Sequence, residues 1–324
     1  MRDFDKLLAQ RRRRELYELP IMTSRGCPYG CSYCSVTQMF GRRVRQQSAD
    51  KAFADICRYV DRGFRRFFFY EDNLTADRRR ARALLERMEP MGVRFNAQVR
   101  VDFPWVDRSR RQVDSRLLRS MGRAGADVLY IGYETVDDQT AEDWHKGYRG
   151  DRPLRARLRE DTHILHDNGF WIHGMFVMGP QHTESTTGDI VRFARDNRLE
   201  SLQISILTPF PGTALFEEMR PHLLFTNYPG DWDFYDGTHC VYDHSRLGIS
   251  AMQTSVFDAH RRFYRYVGPS LRRVRAVIRD SMRLGDKAAL VWNQARMVRT
   301  TFRQWRDEIG SFLDTVRAKC PQCL

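Results

Sequence analysis

The sequence predicts an α/β fold: an open, curved sheet of six strand–helix units, a partial barrel, followed by a mainly helical C-terminal region. Three observations predict it. Six short apolar runs recur between Leu19 and Leu224, with helical patterns in the gaps. Several runs are continuous, such as Phe67-Phe68-Phe69-Tyr70, as suits strands buried on both faces of a parallel sheet. A 42% hydrophobic and 12% aromatic content over 324 residues supplies a real core, which excludes global disorder.

The strand candidates are Leu19–Ser24, Arg66–Glu71, Val93–Val99, Val128–Tyr133, Trp171–Met178 and Leu202–Leu207. Between them, stretches such as Ala49–Arg62 and Arg78–Met88 carry apolar residues at helical spacing. Strand–helix alternation points to right-handed βαβ units. Six units are too few for a closed eight-fold barrel. A doubly wound sheet is the rival, since counting strands does not separate the two. Either way, function belongs at the C-terminal ends of the strands. We expect an N-terminal extension over 1–18, the barrel over 19–225, and a C-terminal region over 226–324. Residues 226–248 read as irregular, and helices follow. In the last helix Val291, Ala295, Val298, Phe302, Trp305, Ile309, Phe312 and Val316 step by four and three, a heptad-like stripe.

No apolar run approaches the ~18 residues of a membrane span. The start has no apolar stretch like that of a signal peptide. The expected compartment is therefore the cytoplasm, where thiols stay reduced, and seven cysteines then call for metal or catalysis before disulfides. The formal charge is +13, and residues 268–324 hold 12 Lys/Arg against 5 acids, more than half of it. Three readings stand for those basic helices: packing against the barrel or a partner, peripheral contact with an anionic membrane, and nucleic acid, the weakest because no RNA-binding module is visible. The Arg11–Arg14 run reads as a solvated loop.

Cysteines stand out at Cys27-Pro-Tyr-Gly-Cys31-Ser-Tyr-Cys34, directly after the first strand run. Soft sulfur ligands select an iron–sulfur cluster or zinc. Structural zinc takes four ligands, and no fourth Cys or His follows at finger spacing. Three protein ligands leave a metal position open for chemistry.

This Cys-x3-Cys-x-aromatic-Cys loop after a first strand resembles the radical S-adenosylmethionine (SAM) superfamily. The resemblance implies a partial (β/α)6 TIM-like barrel. Cys27, Cys31 and Cys34 would hold a 4Fe–4S cluster whose fourth iron SAM chelates. Tyr33 would sit beside the SAM adenine, with a packing aromatic as the alternative. Four further run ends fit the same pattern. Tyr70-Glu71-Asp72-Asn73 matches the segment that holds the SAM amino group in location and acidity, without its two glycines; Glu71 or Asp72 would accept from the ammonium, or cap the helix near Asp77. Ile131-Gly132-Tyr133-Glu134-Thr135 resembles the segment whose carboxylate contacts the SAM ribose, so Glu134 would do so, or form a salt bridge. His145-Lys146-Gly147 follows, with no role assigned. Gly174-Met175-Phe176-Val177-Met178-Gly179 resembles the stretch that brings backbone close to the adenine at Gly174 and Gly179. Pro209-Phe210-Pro211-Gly212-Thr213 recurs in the branch holding the cobalamin-dependent methylases and the anaerobic magnesium-porphyrin cyclase, which adds Pro211. Asp231-Trp232-Asp233-Phe234-Tyr235-Asp236-Gly237 resembles a segment after the barrel in that branch. Gln98 and Arg100 share one face near the end of the third run, to line the barrel or make a buried polar contact.

The expected chemistry follows from the resemblance. A one-electron donor such as flavodoxin or ferredoxin reduces the cluster, which cleaves SAM to a 5′-deoxyadenosyl radical. The radical takes hydrogen from a small organic or lipid-like substrate, leading to oxidation, rearrangement or cyclisation. Cobalamin is unsupported here, since about 18 residues precede the first strand and Asp161-Thr162-His163 lacks the glycine of a cobalamin signature. A cobalamin-dependent C-methyltransferase is one alternative, and a non-catalytic iron–sulfur or zinc nucleic-acid-binding protein another. Cys320 and Cys323 form a two-thiol pair with a redox, metal or merely frayed reading. Cys57 reads as core.

Overall fold

In the computed structural model, residues 18–107, 109–147, 152–243, 246–265 and 284–323 are described, with side chains of the last helix described from Arg299 onward. The Arg11–Arg14 run, nearly all of the expected extension, and the side chains of Val291, Ala295, Arg296 and Val298 lie outside that set.

The strands are β1 (Leu19–Ile21), β2 (Ser24–Arg25), β3 (Arg45–Gln46), β4 (Arg66–Phe69), β5 (Arg94–Arg100), β6 (Ala126–Glu134), β7 (Trp171–Met178) and β8 (Ser201–Ile206). Six form one sheet in the order β1-β4-β5-β6-β7-β8, and β2 pairs with β3 in a separate ribbon. β1 runs parallel to β4, β4 to β5, and β7 to β8. The order never reverses. A doubly wound sheet reverses at a switch point, so the sequential order decides for the partial barrel.

Local chemistry sets the helix starts. Ser48, Asp77, Asp114, Asp137 and Thr213 each turn a side-chain oxygen onto a backbone N–H of the first turn that follows. The helix Arg78–Met88 has the bounds expected from its pattern. β1 is shorter than expected and stops at Ile21. Thr23 and Ser24 lie beyond it, and their hydroxyls donate to the carboxylate of Glu71.

Two compact units divide the chain: 1–29 with 39–131 and 161–171, and 30–38 with 132–160 and 172–324. In the first, Phe69 meets Phe95 edge-on at 5.0 Å. Asp161, buried, accepts from Trp105 Nε1 at 2.6 Å and from both terminal nitrogens of Arg110. Burial raises its pKa to about 6, against the opposing pull of Arg110.

The second unit packs Tyr133 flat on Phe176 at 5.2 Å, with Phe193 edge-on to both. β8 is the last strand of the sheet, and its outer edge is covered by side chains rather than another strand. Tyr264 OH accepts from Leu202 N and donates to Leu202 O; His260 Nε2 accepts from Ile204 N; Gly237 O accepts from Ile206 N. The helix Ile249–Arg265 supplies the first two, so no open edge is left to pair with another chain there.

The last helix, Leu284–Lys319, continues this packing. Phe302 and Trp305 meet Phe257, and Trp305 also meets His260. Phe312 stacks on Phe225 at 5.5 Å, and Lys319 bonds both oxygens of Asp231. The described part of the apolar stripe is thus spent within the chain; nothing supports a membrane surface for it. No described helix is long and apolar enough to cross a membrane. Cys320 and Cys323 form a disulfide, and Cys320 is buried, so the frayed, reduced tail is corrected. Cys57 is half-buried rather than core.

Candidate functional site

The first unit carries the approach to the cysteine loop. Glu71, at the end of β4, is wholly buried and accepts from Thr23 N at 3.1 Å and from the Thr23 and Ser24 hydroxyls. Arg80 lies 3.8 Å from its other side and also bonds Thr23 Oγ1 and Gln47 O. Burial lowers the Arg80 pKa, and Glu71 opposes that. Glu71 therefore ties the strand end to the residues before Cys27, and its oxygens face donors of its own chain. Asp72 accepts from Gly26 N at 2.7 Å. Neither caps the next helix; Asp77 does.

Gly26 has φ +92°, and a Cβ there would stand 2.6 Å from Arg43 O, so only glycine lets ribbon and loop approach this closely. At the end of β5, the buried Arg100 guanidinium lies 3.7 Å from the centre of the Tyr29 ring, between the first two cysteines, and forks onto both oxygens of Asp102 at 3.0 Å. Gln98 is half-buried, and its carbonyl accepts from Leu74 N.

The second unit holds the rest of the loop. Tyr33 lies 5.2 Å from Trp144, and Ser32 N donates to Trp144 O at 3.2 Å. Lys146, buried, donates to Glu134 Oε1 at 2.8 Å and to Tyr33 OH at 3.3 Å. Glu134 reaches it from a left-handed backbone, φ +65°, unusual for a non-glycine residue at the end of a strand. A Cβ on Gly132 would stand 2.4 Å from Glu134 Oε1, so the glycine makes room for the carboxylate. Lys146, which sequence reasoning left without a role, is the residue that bonds both Glu134 and Tyr33. The ion pair expected as an alternative for Glu134 is present, and Lys146 is its partner.

Other expected positions have packing duties. A Cβ on Gly174 would meet Leu199 at 2.6 Å, and one on Gly179 would meet Trp144 at 2.9 Å. Gly179 N donates to His182 Nδ1, which leaves Nε2–H for Thr140 at 3.3 Å. Pro211 is exposed in a turn closed by Thr213 on Phe210 O.

Among the described residues, no three Cys, His, Asp or Glu side chains stand together as a metal-holding group. Cys27 belongs to the first unit and Cys31 and Cys34 to the second. All three are half-buried and outside the disulfide. Three thiols without an oxygen ligand suit a soft iron–sulfur centre rather than a hard cation.

The chain matches the Radical SAM superfamily over residues 21–194. It is 28% identical over 251 residues to the bacteriochlorophyllide d C-12(1)-methyltransferase of Chlorobaculum tepidum, covering 76% of this chain and 52% of that protein. It is 24% identical to the anaerobic magnesium-protoporphyrin IX monomethyl ester cyclase of Cereibacter sphaeroides, covering 74% and 38%. The radical SAM methyltransferase TsrM of Kitasatospora setae, solved with cobalamin and a [4Fe–4S] cluster, shares the fold: TM-score 0.54 at 15% identity, over 63% of this chain and 37% of TsrM. The chain spans about half the length, or less, of the relatives it matches. Its likenesses are enzymes, which sets aside the non-catalytic binding protein. The chain belongs to the radical SAM superfamily, whose enzymes work with a 4Fe–4S cluster and S-adenosylmethionine.

Proposed function

We propose that the chain uses SAM at a cluster held by Cys27, Cys31 and Cys34 to functionalise a carbon of a small organic substrate. The observation that carries this reading is the tie from Lys146 to Glu134 and Tyr33, which joins the cysteine loop to the end of β6. Glu134 keeps Oε2 for a ribose hydroxyl while Oε1 is held by Lys146. Lys146 adds a cation for the SAM carboxylate. Trp144 and Tyr33 offer ring faces to the adenine. When bound, the cluster and SAM supply a 5′-deoxyadenosyl radical that takes hydrogen from the substrate; the chain binds, orients and keeps out water.

The test is anaerobic. The protein is reconstituted with iron and sulfide, reduced, given SAM and assayed for 5′-deoxyadenosine. Formation that is lost in Cys31→Ala supports the reading. Zinc instead of iron in the reconstituted protein would overturn it.

A second reading, cobalamin-dependent C-methylation, is favoured by the names of the relatives. Their methyltransferases and the cobalamin in TsrM point to methyl transfer. Added methylcobalamin then yields a methylated product where SAM alone yields none.

A further inference from the structure

Residues 22–48 surround the cysteine loop and contain four arginines and no Asp or Glu. Arg25, Arg42, Arg43 and Arg45 are all exposed, and among the described residues none is in an ion pair. Arg25 and Arg45 face each other directly across the β2–β3 ribbon. Like charges directly opposite each other destabilise a ribbon, so folding is not what they serve. Among the described residues two acids reach the ribbon, and both are occupied: Asp77, bonded to Gln46 at 2.6 Å, also caps a helix, and Glu71, which accepts from Ser24, is buried against Thr23 and Arg80.

Large apolar side chains are exposed beside them. Met22, 41% exposed, accepts from Arg25 Nε at 2.9 Å. Tyr70 is 58% exposed, and its backbone N–H donates to Ile21 O, next to Met22. Met39, 70% exposed, precedes Arg42, Arg43 and Arg45 in the chain. Exposed Arg, Met and Tyr, with no Asp or Glu within residues 22–48, match the composition of a protein interface core rather than of solvated surface. The ribbon also packs closely on the loop: Arg43 O seats against Gly26, the residue before Cys27.

We propose that this ribbon is the docking surface for a small acidic one-electron carrier protein that reduces the cluster. Charge complementarity commits it to that partner: four exposed guanidiniums, none in an ion pair among the described residues, steer an acidic rim onto the loop and raise the rate of encounter. One electron leaves the reduced carrier and enters the centre at the cysteine loop; no bond forms or breaks. The surface has this role only if Cys27, Cys31 and Cys34 hold the cluster proposed above.

The test measures cluster reduction by stopped-flow absorbance in the reconstituted full chain, with two reductants. One is a reduced acidic flavodoxin; the other is photoreduced 5-deazaflavin, small and uncharged. Wild-type reduction by flavodoxin should slow at least tenfold from low to high salt. Arg42→Glu/Arg43→Glu/Arg45→Glu should slow it at least tenfold at low salt, and Arg42→Gln/Arg43→Gln by a smaller factor. Deazaflavin should reduce all three proteins at one rate, which also shows that the variants carry intact clusters. A flavodoxin rate indifferent to salt and to charge reversal overturns the docking surface alone. A wild-type protein that deazaflavin cannot reduce overturns the cluster reading with it. Tight salt-dependent binding of single-stranded RNA that the triple variant loses, with flavodoxin reduction unchanged, assigns the ribbon to nucleic acid instead.

Discussion

Lys146 Nζ lies 2.8 Å from Glu134 Oε1, and this buried pair is the joint between the strand end and the cysteine loop. The two side chains are 7% and 15% exposed, so removing either leaves the other buried without its ion-pair partner. Lys146→Met strands a carboxylate, and Glu134→Gln strands an ammonium. Each should cost about 3 kcal/mol in urea unfolding, and the double variant less than the sum. Additive losses would mean that the pair is not coupled in solution.

Gly132→Ala should act on the same joint from beneath. Its methyl would stand 2.4 Å from Glu134 Oε1, and Lys146 keeps that carboxylate from swinging aside. SAM affinity by calorimetry is expected to fall at least tenfold. Gly122→Ala is the control: it lies in the helix Ser115–Arg123 with open space around a Cβ, and should stabilise by roughly 0.5–1 kcal/mol with SAM affinity unchanged.

His260 makes the fold sensitive to acid. Burial pushes its pKa from 6.5 to about 4, while it accepts from Ile204 N and donates through Nδ1 to Val256 O. The folded chain then binds fewer protons than the unfolded chain between those values. Its contribution is present above pH 6.5 and is lost as pH falls toward 4, roughly 3 kcal/mol in all. Unfolding midpoints should drop across that window, and His260→Gln should flatten the drop.

Asp161 works with the opposite sign. Its pKa is raised by burial to about 6, so the folded chain binds the extra proton. Stability from this residue is present near pH 4 and is lost as pH rises through 6, by roughly 2–3 kcal/mol. Carboxyl NMR should find the Asp161 midpoint near 6. A midpoint near 4 would show that Arg110 outweighs burial.

Much of this was legible locally. The run Trp171–Met178 and the helix Arg78–Met88 carry their period and caps within a few residues, and the cysteine spacing is contiguous. What was hidden depends on partners far apart in sequence. Lys146 meets Tyr33 across 113 positions, and Thr23 meets Glu71 across 48. Neither contact leaves a periodic trace. Glu71 is acidic at a strand end, as a SAM ligand would be, yet its burial against Thr23, Ser24 and Arg80 is visible only once the chain is folded. The covering of β8 by His260 and Tyr264 is of the same kind, since a helix side chain that stands in for a strand looks like any other polar residue.

The most direct test of the central claim, that the cysteine loop and the β6 end form one SAM-binding unit, is electron paramagnetic resonance of the reduced cluster with and without SAM. In the wild type, SAM should change the spectrum. In Lys146→Met, with iron content matched, that change should vanish or need at least tenfold more SAM. An identical SAM-induced change at the same concentration in both proteins would contradict the account.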